Sequence, residues 1–437
     1  MGALNEDGLI GTEMYKWVTE LFPICRSLTG DGVRTTLDYI RNILPNLQLH
    51  SIKSGAKVYD WNVPDEWNIV NAYVEDDKGH RWIDFKENNL HVVGYSTPID
   101  EWMSLEQLES NLHTLPEQPT AIPYITSYYN KIWGFCLREE KRKTIPAGNY
   151  HVVIDSELKS GVLNYADIVI PGKSSDEILI STYICHPSMA NNELSGPVVT
   201  MKIVEWLQKQ DLEYTYRIVF IPETIGSIIY IHEHYEQLKK NVVAGYVLSC
   251  IGDDKTYSFM PSRQDNCLSD RVARAVFNEN EPEFVEYSYL ERGSDERQYC
   301  SPGVDLPIAS IMRSKYGEYP EYHTSLDDLN FISSKGLFGG YNIVKKCIET
   351  IEKNKFYTAI YPCEPQLGKH GVMSTLSNKE SWGAVKNIKD VIAYADGTND
   401  CVSLAKKSNV RISVCIDICE MLLEKGIFKV DNNRAII

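Results

Sequence analysis

Three polar side chains stand where apolar stretches of the chain end. His186 closely follows the stretch 177–183, Glu223 follows the stretch ending at Pro222, and His323 lies in a polar loop ahead of a helical pattern. Ligands bind at the carboxyl ends of strands in open α/β sheets, and an imidazole there can ligate a metal ion. A single histidine at a strand end is more often structural. Three such groups from distant segments predict a metal site if one sheet brings them together.

The elements that must position these groups alternate along the chain. Short apolar runs of strand length are separated by longer stretches with helical spacing of apolar residues. The predicted strands are 177–183, 216–222, 243–249 and 306–312, and the predicted helices are 198–209, 228–240, 268–278 and 336–352. This alternation favours an α/β fold with a mostly parallel, doubly wound sheet. We expect residues 150–155 and 167–170 to belong to the same sheet.

The segment 59–142 differs in composition from its surroundings. It is rich in Trp, Tyr, Pro and Asn and contains short strand-like pieces. We therefore predict a small β-rich module inserted into the α/β domain, which would comprise residues 1–58 and 143–358.

The segment 370–437 predicts a winged-helix-like domain. Its elements are expected to be helices 382–394, 401–408 and 412–425, a turn at 396–400 and a strand at 427–430. Such folds often bind DNA, but the last helix carries Asp417, Glu420 and Glu424, which would face the phosphates. We expect no nucleic acid partner and assign this domain to docking or to homo-oligomerisation.

The bulk composition narrows the function classes further. The 437 residues carry a formal net charge of −16, which disfavours non-specific binding to nucleic acid or anionic membranes. No apolar run is long enough to span a bilayer, and the start of the chain lacks a signal-peptide core, so we expect a cytoplasmic protein. The eleven cysteines form no Cys-x-x-Cys pair, and Cys415 and Cys419, four residues apart in a helical pattern, are expected to pack in the core.

The order of the polar motifs resembles a known family. His186, the turn at Ser195–Gly196, Glu223 ahead of Gly226–Ser227, the Gly-Ser-Asp at 293–295 and the run 323–328 occur in the order found in M28-type zinc aminopeptidases. The opening 21–34 and the Cys-His-Pro-Ser loop are more similar to a narrower bacterial group, the polysaccharide biosynthesis proteins with an aminopeptidase-like domain (DUF4910/DUF2172 type). The resemblance covers nearly the whole chain. It implies a fold of the zinc-peptidase/phosphorylase-like class.

The resemblance also implies a set of metal ligands. His186 matches the first histidine of the family and His323 the last, while Asp253, with Asp254 adjacent, is the candidate for the distal aspartate. The bridging aspartate is replaced by Asn192, a neutral amide, and the paired glutamates are reduced to Glu223, which could serve as base or as ligand. Both changes remove negative charge, so one zinc ion is expected rather than two.

Other polar residues could support this site. Asp295 and either Asp327 or Asp328 could orient ligand histidines, although helix capping is an equal alternative for the latter two. Arg263, Arg292 and Arg297 could bind a substrate carboxylate, with plain surface charge as the alternative.

Two functions remain open from the sequence. One is a zinc-dependent aminopeptidase-like hydrolase that cuts a peptide or amide bond, with metal-activated water and Glu223 as base, on a peptide or aminoacyl substrate. The other is a catalytically degenerate peptidase fold that binds a ligand or partner.

Overall fold

The computed structural model describes residues 6–372 and 379–430. The strands are β1 (Gln48–Lys53), β2 (Lys57–Val58), β3 (Trp61–Asn62), β4 (Glu66–Asp76), β5 (Arg81–Asp84), β6 (Ile99–Ser104), β7 (Leu112–His113), β8 (Phe135–Cys136), β9 (Asn149–Lys159), β10 (Val162–Ile170), β11 (Glu177–Tyr183), β12 (Thr215–Ile221), β13 (Val242–Leu248), β14 (Ser258–Met260), β15 (Val285–Glu286), β16 (Ile308–Met312), β17 (Phe356–Ala359), β18 (Asp396–Asp400) and β19 (Phe428–Val430).

The helices lie mostly between these strands. They are α1 (Glu6–Leu21), α2 (Asp31–Ile43), α3 (Leu105–Leu108), α4 (Glu139–Arg142), α5 (Ser195–Leu207), α6 (Ile225–Asn241), α7 (Leu268–Asn280), α8 (Glu296–Tyr299), α9 (Ser334–Lys353), α10 (Lys379–Tyr394), α11 (Cys401–Ser408) and α12 (Ile412–Glu424). Within the described ranges, no helix is long and apolar enough to cross a membrane.

The main sheet has eight strands in the order β1-β10-β12-β11-β13-β16-β14-β15. Its four central strands, β12, β11, β13 and β16, run parallel, and antiparallel pairs extend it at β10 and β14. Every residue of β11 is buried. Ile178 and Ile180 pack into the core on one face and Leu179 into the core on the other, as expected for a strand covered on both sides. The predicted α/β architecture is therefore confirmed, with a mixed rather than purely parallel sheet.

A second sheet has the order β5-β4-β9-β6 and is antiparallel throughout. The prediction that residues 150–155 belong to the main sheet is wrong, because they lie in β9, which pairs with β4 and β6. Tyr150, Val152 and Ile154 are buried while their neighbours are partly exposed, the pattern of a sheet with one covered face. The residues predicted at 167–170 do lie in the main sheet, in β10.

The C-terminal sheet joins β18, β17 and β19. β17 precedes the predicted start of this domain at residue 370, and residues 396–400, expected to form a turn, pair with β17 as strand β18. Asp400 still caps α11, since its carboxylate accepts a hydrogen bond from the Ser403 amide. Residues 373–378 and 431–437 of the predicted domain lie outside the described residues.

Candidate functional site

Two neighbouring strands place His186 and Glu223 side by side. β11 and β12 are parallel and in register, with Tyr183 opposite Ile221 at their carboxyl ends. The chain continues three residues to His186 on one side and two residues to Glu223 on the other. The His186 Nε2 atom lies 3.5 Å from the Glu223 Oε2 atom. The sheet thus joins two of the predicted residues directly.

The His186 ring is held from its other nitrogen. Its Nδ1 atom lies 2.8 Å from the Glu193 Oε2 atom, and both side chains are buried. Arg26 donates from Nε to the His186 carbonyl at 2.9 Å and lies 3.7 Å from Glu193 Oε1. Burial opposes protonation of His186, but Cys185 and Glu193 outweigh it and raise the pKa of the imidazole well above its usual value. Glu193 and Arg26 therefore fix the ring so that Nε2 is left for Glu223 or a ligand.

His323 completes the group from a separate loop between β16 and α9. Its ring centroid lies 5.4 Å from that of His186, and the ring stacks on Tyr322 at 3.9 Å. The Nε2 atom is buried and has no hydrogen-bond partner. Burial lowers the pKa of His323 to about 3, which keeps the imidazole neutral near pH 7. A neutral, unpartnered, buried ring nitrogen is the form in which histidine ligates a metal ion. We call His186, Glu223 and His323 the strand-tip cluster.

The loops of this site contain strained backbone. Ser188, Thr224, Cys250 and His323 all have positive φ values between 40° and 65°, although none is glycine. Such conformations cost about 1–3 kcal/mol each and persist where the surrounding structure enforces them. Four of the nine such residues in the described chain lie at the ends of β11, β12 and β13 and at His323, a position where strain is typical of functional sites.

Glu223 is held by neighbours from the 293–295 segment. Its Oε1 atom accepts a hydrogen bond from Ser294 Oγ at 2.7 Å. Asp295 accepts from the Thr224 amide at 2.7 Å and from Ser227 Oγ at 2.8 Å, and its Oδ2 atom is buried without a partner. Burial, together with the nearby Glu223, raises the pKa of Asp295 to about 8. Asp295 thus shapes the backbone beside Glu223 and has no hydrogen bond to a described histidine.

Asp253 is surrounded by donors instead. Its carboxylate accepts from Asn191 Nδ2 at 3.0 Å, from the Lys255 amide at 2.9 Å, and from the amide and hydroxyl of Ser314 at 2.9 and 2.8 Å. Both oxygens are therefore occupied. The assignment of Asp253 as a ligand stays a prediction, and these contacts disfavour it. The adjacent Asp254 is exposed and bonds Ser333.

Asp327 anchors the loop that leads into α5. It accepts hydrogen bonds from the amides of Asn191 and Asn192, at 2.6 and 2.9 Å, and from the Tyr319 hydroxyl at 3.2 Å. Burial raises the pKa of Asp327 to about 7. Asp328 accepts from the Asn330 amide at 2.8 Å. Neither residue caps the following helix α9, whose N-cap is Ser333, and both instead accept hydrogen bonds from loop amides. We call Asp253 and Asp327 the anchoring carboxylates.

Asn192, in the slot expected for a bridging aspartate, is fully buried. Its Nδ2 atom donates to the Tyr183 hydroxyl at 2.6 Å and lies 3.7 Å from Cys250 Sγ, while its Oδ1 atom has no partner. A neutral amide with one free oxygen could contribute a weak ligand but no charge.

A cleft of about 960 Å³ is lined in part by Tyr289, Leu290, Arg292 and Arg297, and the residues of the strand-tip cluster are not among its lining residues. Arg297 donates to Thr224 Oγ1 at 2.6 Å, which connects the cleft wall to the residue after Glu223. The Arg292 guanidinium lies 5.0 Å from the Tyr289 ring centre. Arg263 lines the same cleft but is paired with Asp305 at 2.7 Å. The arginines therefore differ in how free they are to bind a substrate.

Sequence reasoning missed three residues of the site. The buried pair Glu193 and Arg26 was not predicted, although Arg26 lies in the segment 21–34 that carries part of the family resemblance. Tyr124 comes from the inserted module, and its ring centre lies 5.4 Å from that of His186 and 5.1 Å from that of His323. The sequence offers one signal for this pair, a glutamate seven residues after the candidate histidine.

Comparisons with known proteins agree with this architecture. Residues 15–354 match the family described as Domain of unknown function (DUF4910), and residues 355–430 match a winged helix-turn-helix family. A Clostridium acetobutylicum protein named as a polysaccharide biosynthesis protein with an aminopeptidase-like domain is 43% identical over 402 residues, 92% of each chain. The winged helix predicted from the sequence is confirmed, and its matched segment starts at residue 355.

Solved structures show the same fold. A crystal structure from Clostridium acetobutylicum, named as a peptidase, superposes with a TM-score of 0.92 at 40% identity and covers 97% of each chain. The Bacillus subtilis zinc aminopeptidase BSAP superposes with a TM-score of 0.57 at 13% identity, over 78% of this chain and 94% of that one. The latter likeness concerns the fold alone. The resemblance to aminopeptidase-like proteins of the M28 type is confirmed.

Proposed function

The chain belongs to the DUF4910 family, and we propose that it is a zinc-dependent, aminopeptidase-like hydrolase of peptide or amide bonds with the strand-tip cluster as its centre. The observation that carries this proposal is the buried, unpartnered Nε2 atom of His323 beside the His186–Glu223 pair. Two histidines and one glutamate form a donor set that is used by catalytic zinc sites, which leave one position open. The family resemblance supplies the hydrolase class.

The donor set fits one zinc ion better than two. The one carboxylate offsets part of a single dication's charge and the imidazoles offset none, and His186, whose pKa is raised, would release a proton when the ion binds. A second dication would need further carboxylates, but Asn192 is an amide and the oxygens of Asp253 are occupied by donors. A zinc ion held there would lower the pKa of a bound water towards 7 and polarise an amide carbonyl.

Residues of the chain would then position the side chains, accept the proton and bind the substrate. Glu193 and Arg26 hold the His186 ring, and Ser294 donates a hydrogen bond that holds the Glu223 carboxylate. Glu223 would serve either as the third ligand or as the general base. Burial raises its pKa, against the opposing effects of His186 and Ser294, which is the direction that a general base requires. The cleft with Tyr289 and Arg292 would accept the peptide or aminoacyl substrate.

Elemental analysis of protein purified without chelators tests this proposal. We expect about one zinc per chain, lost in His186→Ala and in His323→Ala. His80→Ala is the control, because this exposed residue lies in the hairpin between β4 and β5. A panel of aminoacyl amides tests hydrolysis on the same samples. Zinc that persists in both site variants would contradict the assignment.

A second candidate is a binding protein without turnover. Asn192 favours it, since the amide removes the negative charge expected at the bridging position. This candidate predicts zinc content without hydrolysis, and tight binding of a peptide or aminoacyl ligand that His323→Ala abolishes. If any amide in the panel is hydrolysed at a rate that varies with zinc content, this second candidate is excluded.

We further propose that the winged-helix domain docks on the peptidase-like domain and does not bind DNA. Asp400 pairs with Arg271 of α7 at 2.6 Å, and the Ser413 amide donates to Glu279 of α7 at 3.0 Å. Lys353 of α9 lies 3.4 Å from Glu420 of α12. The acidic residues of α12 also oppose phosphate contacts. Fluorescence anisotropy with random duplex DNA should show no salt-dependent binding by the full chain at micromolar concentration.

A further inference from the structure

Three cysteines meet inside the C-terminal domain, away from the strand-tip cluster. Cys401 is the first residue of α11, directly after the capping Asp400. Cys415 and Cys419 lie one turn apart on α12 and so share one face of that helix. Their Sγ atoms all lie within 4.8 Å of one another. We call these residues the three-cysteine cluster.

The spacing of the sulfurs suits a metal ion. The Cys401 and Cys415 Sγ atoms are 3.9 Å apart. A metal at about 2.3 Å from each of three sulfurs in a plane would place those sulfurs about 4.0 Å apart. The cluster therefore needs little rearrangement to surround an ion, although the pattern of cysteines along the sequence indicated only core packing.

The surroundings of the cluster select the kind of ion. All three cysteines have 0% exposure and belong to the main hydrophobic core, and no described histidine or carboxylate joins the group. Zinc in structural sites takes four ligands. Three sulfurs, without a fourth protein ligand and shielded from water, are better suited to Cu(I), a soft ion that thiolates select and that accepts low coordination numbers.

We propose that the three-cysteine cluster is a binding site for one Cu(I) ion, which would link α11 to α12. Binding displaces thiol protons to the solvent, and copper stays in the Cu(I) state throughout, so no oxidant or reductant is consumed. The ion would connect two helices that otherwise meet through apolar packing. Copper should therefore raise the thermal stability of the C-terminal domain. This inference is independent of the strand-tip cluster.

Anaerobic titration of the full-length protein with Cu(I), in competition with a chromophoric Cu(I) chelator, tests the proposal. We expect one tight equivalent in the wild type and a loss of affinity of about 100-fold in Cys415→Ser, with a higher melting temperature only when copper is bound. Cys347→Ser is the matched control, because Cys347 is also fully buried but lies in α9, outside the cluster. Equal affinity in wild type and Cys415→Ser would overturn the proposal.

X-ray absorption at the copper edge needs no variant and covers the case in which Cys415→Ser does not fold. Three sulfur neighbours at about 2.3 Å are expected. Nitrogen neighbours would instead indicate binding at Cys185, His186 and Glu193, the other group of closely spaced ligand atoms in the described ranges, and would overturn the proposal. A parallel titration with Zn(II) should show weaker binding at the cluster, and tighter Zn(II) binding there would overturn the assignment to copper.

Discussion

Two sets of buried or half-buried polar residues lie at the same edge of the main sheet and differ in their partners. In the strand-tip cluster, His323 Nε2 has no partner and His186 Nε2 lies 3.5 Å from Glu223. In the anchoring carboxylates, both oxygens of Asp253 and both of Asp327 accept hydrogen bonds. Residue type and location do not separate a ligand from a structural anchor. What separates them is the number of donor or acceptor positions that no hydrogen bond occupies.

Among the variants that test this contrast, Glu223→Gln should have the largest effect on turnover. Because an amide cannot take a proton, turnover should fall by about a thousand-fold or more. Steady-state kinetics with the best aminoacyl amide measures this, and zinc content then distinguishes a base, which leaves the metal in place, from a ligand, which does not. Glu157→Gln, an exposed change on β9, is the control. Unaltered turnover in zinc-replete Glu223→Gln would exclude both roles.

Asp253→Ala should act on stability instead of on the metal. It leaves the side-chain amide of Asn191 and the two donors of Ser314 without their acceptor, at a cost of about 3 kcal/mol in the free energy of unfolding. Chemical denaturation measures this, and zinc content should stay near one per chain. Asp254→Ala is the matched control at the exposed neighbouring position. If Asp253→Ala loses zinc while its stability is unchanged, Asp253 is a ligand and the contrast fails.

Glu193→Gln should weaken the site without destroying it. The amide still reaches His186 but no longer provides a charge to hold the ring, so zinc affinity should fall by about 10- to 100-fold. Competition with a zinc chelator measures the affinity, and excess zinc should restore turnover. Zinc affinity equal to that of the wild type would show that Glu193 does not position His186.

The smallest effect is expected in the cleft. Arg292→Ala should raise KM by about five-fold for a substrate with a free carboxylate and leave kcat unchanged, since it removes binding that is common to the ground and transition states. Arg263→Ala should do less, because Arg263 is already paired with Asp305. A larger KM effect from Arg263 than from Arg292 would reverse this assignment.

The fold and part of the site could be predicted from the sequence because they depend on local patterns. Strand-length apolar runs gave the central strands, and the position of His186 and Glu223 directly after two of them indicated a shared edge. β9 was misplaced because its apolar pattern is the same whichever sheet it joins.

The partners of the site residues could not be predicted. Asp253 follows β13 as a ligand would, but the chain turns at Cys250 with a φ of 48°, a conformation that no sequence signal indicates for cysteine. Arg26 became part of the site only when a distant segment packed against His186 and Glu193. Such contacts are set by the tertiary structure.

The central claim is that zinc binds at the strand-tip cluster and not at the anchoring carboxylates. Anomalous diffraction at the zinc edge, from crystals of the full chain grown with zinc, tests it most directly. We predict one strong peak at about 2.0–2.2 Å from the Nε2 atoms of His186 and His323. A peak coordinated by Asp253, or no peak within ligand distance of His323, would contradict the claim.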